Sequence, residues 1–312
     1  MRLFIFIPLL LVYIILFNYA YLPNSGSLDI DNYLIAITRF SEYSNYTLSI
    51  LAWFYYSLAF WALYEGVSEL LFNGNGILGL LFISILGMLL ILRGFSSYRN
   101  ISLVSQLAII FLILNPRFLD LALSQQRNFF AVAVVITGFI VARRSLLLGL
   151  LIIVFSSLIH LSSFLFLCLF LFFRLVKHFQ ISSGVLILST TLLSILVLSA
   201  YVISEQILGR QVLFQQSSYL YVSMWLGLTV FYTINKPSAI GSEFAFVFYA
   251  LILIAFLGMP LGAYGSRLIG LAIPFLALSI HDENIKSGFV FILILAAWIL
   301  SMIYWLKYQI FV

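Results

Sequence analysis

The chain has 312 residues, and its 15 Lys/Arg and 10 Asp/Glu make up only 8% of it, against about 25% in an ordinary soluble domain. With 64% apolar residues and a mean hydropathy of +1.18, a water-soluble globule would leave large apolar patches in water, so lipid is the solvent this composition calls for. The net charge of +5 does not point to nucleic acid, because the densest basic cluster is the pair Arg143/Arg144, and the single cysteine, Cys168, excludes internal disulfides and Cys-based metal sites.

A spanning helix needs about 20 residues at about 1.5 Å each. Arg2 precedes an apolar run over 3–22 with no small-x-small cleavage pattern, so this run reads as a retained first helix rather than a signal peptide. A polar outer loop, 23–48, leads into an aromatic-rich segment, 49–64. Further apolar runs follow at 77–92, 100–115, 128–142, 145–159, 161–176, 181–203, 220–235, 243–259, 267–280 and 288–306. The chain reads as one polytopic, all-α membrane domain over 1–312, without a soluble domain or an internal repeat.

Basic residues in the short connections set the orientation. Arg93/Arg99, Arg143/Arg144, Arg174/Lys177, Lys236 and Lys286 fall at every second boundary and mark the cytoplasmic side. Placing Arg2 there too requires an even number of crossings before Arg93, so one of the first three runs does not cross. The segment 49–64 carries Trp53, Phe54, Tyr55, Tyr56, Phe60, Trp61 and Tyr64, aromatics that favour the membrane interface. It is read as an interfacial or re-entrant helix, leaving about eleven transmembrane helices by the length rule. Twelve spans with the N-terminus outside give the same charge count, exchanging Arg2 for Arg39.

The outer face then holds Asp29, Asp31, Glu65, Glu69, Arg117, Asp120, Arg127 and Arg267. An arginine beside an apolar helix needs a partner, water or a ligand. Arg117 has Asp120 three residues on, whereas Arg127 and Arg267 have no acidic residue within four positions. The guanidinium fork matches phosphate oxygens, so an anionic ligand is the functional reading and snorkelling to the interface the structural one. His160 divides the apolar stretch 145–173, whose two ends carry cytoplasmic charge. It is predicted at the turn between two helices, as a proton carrier or phosphate donor, or as a structural histidine satisfied by Ser157, Ser162 or Ser163. Asp29-Ile-Asp31 can supply a base for a sugar hydroxyl, and Glu65 with Glu69 a second carboxylate face. The chain has no Walker A motif, H-E-x-x-H, G-x-S-x-G or dinucleotide loop. It offers no metal site or cofactor motif, and a sugar donor would be lipid-borne.

Several elements in order resemble the EpsG-like family of Wzy-type bacterial polysaccharide polymerases, which make O-antigen and exopolysaccharide. A D-x-x-x-Y element is matched by Asp29 to Tyr33, with Ser27-Leu28 where a glycine is usual. Tyr64-Glu65-Gly66-Val67 is similar to an acidic-Pro-Gly element without its proline. Gln126-Arg127-Asn128 resembles an arginine opening a helix, His160-Leu161-Ser162-Ser163 an H-x-S element, and Ser266-Arg267 a late arginine before a helix. The resemblance implies a GT-C-like glycosyltransferase in the bacterial inner membrane, without a cofactor, its active site facing the periplasm. Its substrates would be oligosaccharides on undecaprenyl pyrophosphate and its partners membrane lipid, a chain-length regulator and a flippase. Asp29, Asp31 and His160 would be catalytic, Arg127, Arg267 and Arg117 would hold pyrophosphate, and Glu65 and Tyr33 would assist. The competing readings are a flippase for the same lipids, which predicts charges along a midplane path, and a membrane acyltransferase using His160 as base.

Overall fold

A computed structural model of the chain describes residues 57–96, 102–179, 219–235, 242–258, 265–284 and 286–310, with scattered positions near 11–15 and 189–199. The first apolar run, the outer loop 23–48, the segment up to 56 and most of 181–203 lie outside the described residues.

Every regular element among the described residues is an α-helix: α1 (Leu58–Phe72), α2 (Gly76–Ser96), α3 (Leu103–Ile113), α4 (Pro116–Ser124), α5 (Gln126–Ala142), α6 (Leu146–Ile159), α7 (Ser163–His178), α8 (Tyr219–Asn235), α9 (Glu243–Leu257), α10 (Gly265–Glu283) and α11 (Gly288–Ile310). The breaks fall where local chemistry makes them. Asn73 adopts the left-handed region at φ 50° and Gly74 follows at φ +81°, a conformation that glycine adopts without steric penalty. Asn75 Oδ1 then accepts from Leu78 N–H at 3.2 Å to open α2. Ser102 and Ser242 cap α3 and α9 by accepting from Ser105 N–H and Ala245 N–H, at 3.1 and 3.2 Å.

Two departures from the predicted runs stand out. α1 continues past Tyr64 to Phe72. The stretch after Asn115 forms a separate helix, α4, bent by 50° from α3. Pro116 opens α4 at the position where a missing N–H breaks no helical bond.

Among the described residues one helix, over Gly76–Phe95, is long and apolar enough to cross a membrane, and there are two if the bent pair α3 and α4 forms one span. The apolar helices α5, α6 and α9, with residues 219–234 of α8 and 288–303 of α11, contribute stretches of 10–17 residues, at most about 26 Å against a hydrocarbon core of about 30 Å. Among the described residues helix length therefore identifies one or two crossings, and it does not establish the eleven expected from the charge pattern.

The chain groups into two compact units, residues 1–98 with 119–167, and residues 99–118 with 168–312. In the first, α1, α2, α5 and α6 pack around Phe60, Trp61, Tyr64, Leu80, Ile83, Phe130, Ala131, Val134 and Ile159. Phe60, Trp61 and Tyr64, grouped by sequence with an interfacial belt, are buried in this core. Glycines bring α5 and α6 close: a Cβ on Gly149 would lie 2.6 Å from the Ala142 backbone nitrogen, and one on Gly138 2.6 Å from Ile153 Cγ1.

The second unit contains α3 and α8 to α11. Ser102 N–H donates to Asn284 Oδ1 at 2.7 Å, tying the start of α3 to the end of α10. At the other end of α3, Trp298 Nε1–H donates to Leu114 O at 3.0 Å and Asn115 Nδ2 to Ser301 Oγ at 3.2 Å. These bonds satisfy the backbone and side-chain groups exposed by the break before Pro116.

Candidate functional site

The site is built where two helix ends of the first unit meet. α6 stops at Ile159 and His160 takes an extended conformation, φ −154° and ψ 128°. The His160 N–H still reaches Ser156 O at 3.0 Å, and His160 O accepts from Ser163 N–H at 2.9 Å as α7 begins. The structure thus places His160 at a turn between helices, the position read from the charges flanking 145–173. Its Nδ1 lies 2.7 Å from Ser162 Oγ and 3.2 Å from Ser162 N. Ser162 Oγ in turn donates to Asn128 Oδ1 at 3.0 Å.

Asn128 is the third residue of α5 and Arg127 the second. The Asn128–Ser162 bond therefore joins the start of α5 to the His160 turn. The Arg127 guanidinium carbon sits 5.3 Å from the centre of the Trp61 ring, a cation–π distance. Trp61 packs in turn at 5.6 Å from Phe60 and 6.2 Å from Tyr64. The arginine is thus set on a buried aromatic floor.

The electrostatics of this helix end suit an anion. No acidic residue lies in the first turn of α5, and its N-cap, Gln125, makes no side-chain capping bond. The amide dipoles point their positive ends there, so a cation in that turn is unfavourable by itself and favourable once an anion binds. Arg117 and Arg267 also occupy first turns lacking acidic residues, in α4 and α10.

Glu65 is one turn beyond Trp61 on α1 and shares its face. Its Oε2 is buried with no hydrogen-bond partner among the described residues. Burial raises its pKa above the ordinary carboxylate value, and Glu69 nearby raises it further. The hydroxyls of Tyr64, Ser68, Ser84, Ser157 and Ser163 are likewise buried without hydrogen-bond partners among the described residues.

Of the sequence-predicted residues, the structure bonds the His160 turn through Ser162 to Asn128, the neighbour of Arg127 on α5, and puts Glu65 on the helix face that carries Trp61. Arg117 and Arg267 belong to the second unit. There Arg117 lies 5.9 Å from the Tyr221 ring centre and its N–H donates to Asn115 Oδ1 at 3.0 Å. Asp29, Asp31 and Tyr33 lie outside the described residues. Sequence reasoning missed the roles of Trp61 and Asn128. Asn128 adjoins an arginine already singled out, which was the one available signal; Trp61 was hidden among other aromatics. Among the described residues no group of three or more His, Cys, Asp or Glu could hold a metal ion.

Comparison with protein-family models, with curated proteins and with solved structures finds no match to this chain.

Proposed function

We propose that the chain is a polymerase of lipid-linked oligosaccharide repeat units, resembling the EpsG-like, Wzy-type enzymes, with about eleven membrane crossings and a site facing the periplasm. The observation that carries this reading is Arg127, held over Trp61 in the first turn of α5 beside Asn128, whose side chain is bonded through Ser162 to His160.

The reaction transfers the growing glycan from undecaprenyl pyrophosphate to a hydroxyl of a new lipid-linked unit. The acceptor oxygen forms a bond to the anomeric carbon as the bond to the lipid pyrophosphate breaks. The pyrophosphate leaves with that bond's electron pair, and the hydroxyl proton passes to a base. Charge builds on the leaving oxygen, so preorganised cations near it supply most of the transition-state stabilisation open to such a site. Arg127 and Arg267 are assigned to the pyrophosphate with Arg117 in support, Asp29 or Asp31 to the base, and His160 to donation or orientation. The Trp61 floor limits the rotamers of Arg127 before the ligand arrives, which lowers the ordering cost of binding.

Deletion followed by gel analysis of surface polysaccharide tests the reading. Lipid capped with a single repeat unit is the expected product. Loss of even that unit would instead identify a flippase or an earlier step. Arg127→Ala and Arg267→Ala proteins, present in the membrane at normal level, are expected to make no long chains.

A further inference from the structure

The register of the α1–α2 hairpin fixes the depth of Arg127. A Cβ on Gly79 would lie 3.2 Å from Ser68 Cβ, so these two positions face each other about a turn from the Asn73-Gly74-Asn75 link. The next turn of each helix sets Tyr64 level with Ile83, both in the core of this unit, and the one after sets Trp61 level with Leu86. The start of α5 reaches that level by a separate contact, since a Cβ on Gly87 would lie 2.8 Å from Phe129 Cε1. Arg127, 5.3 Å from the Trp61 ring centre, is therefore level with the middle of Gly76–Phe95, the helix long and apolar enough to cross a membrane. At about 1.5 Å per residue Gly87 is about 16 Å from the Gly76 end, half of a hydrocarbon core of about 30 Å.

Polar groups occupy one half of that depth. On α1, Trp61, Tyr64, Glu65 and Ser68 share one stripe at i, i+3, i+4 and i+7 spacing. Tyr64 Oη, Glu65 Oε2 and Ser68 Oγ, with Ser84 Oγ on α2, are buried without a hydrogen-bond partner among the described residues. All four lie between the Asn73-Gly74-Asn75 link and the level of Trp61. The opposite face of α2 is apolar and open, with Phe82 38% and Leu89 47% exposed. Beyond Gly87 the buried side chains of α2 are Met88, Ile91, Leu92 and Phe95, so its polar lining stops where Arg127 stands.

We propose that the outer half of the α1–α2 hairpin walls a blind polar passage, recessed half-way into the membrane, through which the phosphate-bearing headgroup of a lipid reaches Arg127. Unpaired hydroxyls in a membrane-embedded helix pair are costly unless water or a ligand reaches them. The guanidinium at the closed end matches phosphate oxygens. The four atoms are buried as the hairpin stands, so entry separates α1 from its neighbours. The identity of the ligand rests on the polymerase reading, which turns the Gly76 end of α2 to the periplasm. A route for transport would continue past Gly87, whereas the apolar lining there closes it.

The test uses the full-length protein in sealed vesicles with its periplasmic side outward, with Cys168→Ser removing the one native thiol. Ser68→Cys, Ser84→Cys, Phe82→Cys and Met88→Cys are compared at equal membrane level, serine and cysteine being near-isosteric. A charged, membrane-impermeant methanethiosulfonate reagent is added outside. The Ser68→Cys and Ser84→Cys thiols are expected to react at least about tenfold faster than the Phe82→Cys thiol, which is at the depth of Ser84 on the apolar face, and than the Met88→Cys thiol beyond the closed end. Millimolar inorganic pyrophosphate should slow modification of Ser84→Cys about fivefold, and Arg127→Ala should abolish that protection. A nitroxide on Leu89→Cys should show oxygen and nickel-chelate accessibilities typical of the bilayer centre.

Equal rates at Ser84→Cys and Phe82→Cys overturn the passage. Modification of Met88→Cys at the Ser84→Cys rate overturns its blind end, and a nitroxide at headgroup depth overturns its placement. Reaction without pyrophosphate protection, or protection that survives Arg127→Ala, overturns the phosphate site. If deletion of the gene leaves long chains intact while the thiols behave as expected, the polymerase reading fails and the passage stands.

Discussion

In the second unit the buried hydroxyls close on partners: Tyr221 on Ser301 at 3.1 Å, Tyr232 on Ser279 at 2.7 Å, and Thr229 on Trp225 O at 2.7 Å. In the first unit Ser156 and Ser162 are likewise bonded, but Tyr64, Ser68, Ser84, Ser157 and Ser163 bury hydroxyls with no hydrogen-bond partner among the described residues. A buried hydroxyl without a partner is unfavourable by about 1–3 kcal/mol, and such groups in a native protein call for a ligand, a water or a moving element. Among the described residues the buried hydroxyls of the second unit are thus already used, whereas its Trp225 Nε1 is buried with no hydrogen-bond partner. The first holds buried hydroxyls in reserve, in the unit that also contains Arg127 and His160.

The largest effect should follow from removing the cation of the first unit. Arg127→Ala is expected to raise the barrier to elongation by about 3 kcal/mol, the scale of losing one preorganised donor, and to leave single-unit products on a gel. Arg127→Lys should rescue poorly, because an ammonium does not reproduce the planar fork and its stacking on Trp61. Elongation by Arg127→Ala at the wild-type rate would remove the reason for calling the first unit functional.

The next two predictions oppose the units in one assay. Tyr232→Phe leaves Ser279 Oγ without the partner it has at 2.7 Å and should lower unfolding stability in detergent by about 1 kcal/mol, with elongation retained at a permissive temperature. Tyr64→Phe removes a buried hydroxyl that has no hydrogen-bond partner among the described residues. It should leave thermal stability unchanged or raise it by up to about 1 kcal/mol, while slowing elongation if that hydroxyl serves a ligand. Matching losses of stability in the two variants would erase the distinction between the units.

How far these features were legible from the chain follows from the range of the interactions. The turn at His160 was readable, because cytoplasmic charges flank the apolar stretch it divides. The break at Asn73-Gly74-Asn75 was marked by residues suited to a left-handed turn. The bracket behind Arg117 was not readable, since Asn115 and Ser301 are 186 positions apart and no pattern pairs them. The inward placement of Trp61 was lost in composition: an aromatic-rich run suggests an interface, but only packing against Phe130 and Ile159 shows which rings leave it. The Asn128–Ser162 bond spans 34 positions, and sequence supplied only the two ends.

The smallest effect concerns Glu65 and has a definite sign. Burial, with Glu69 as the second cause, raises its folded pKa above the ordinary carboxylate value. Between those two values the folded protein binds more protons than the unfolded chain, so stability declines as pH rises through that window. The protonated carboxyl is the form the folded state favours, and its full contribution is present below the unfolded value. Glu65→Gln carries a neutral side chain of similar shape and should flatten the pH dependence of detergent unfolding in the window just above the ordinary glutamate value. Glu69→Gln should flatten it less, because it removes only the weaker cause. An unchanged slope in Glu65→Gln would show that Glu65 is solvated in the folded protein, and the first unit would then lose the carboxyl from its reserve of polar groups.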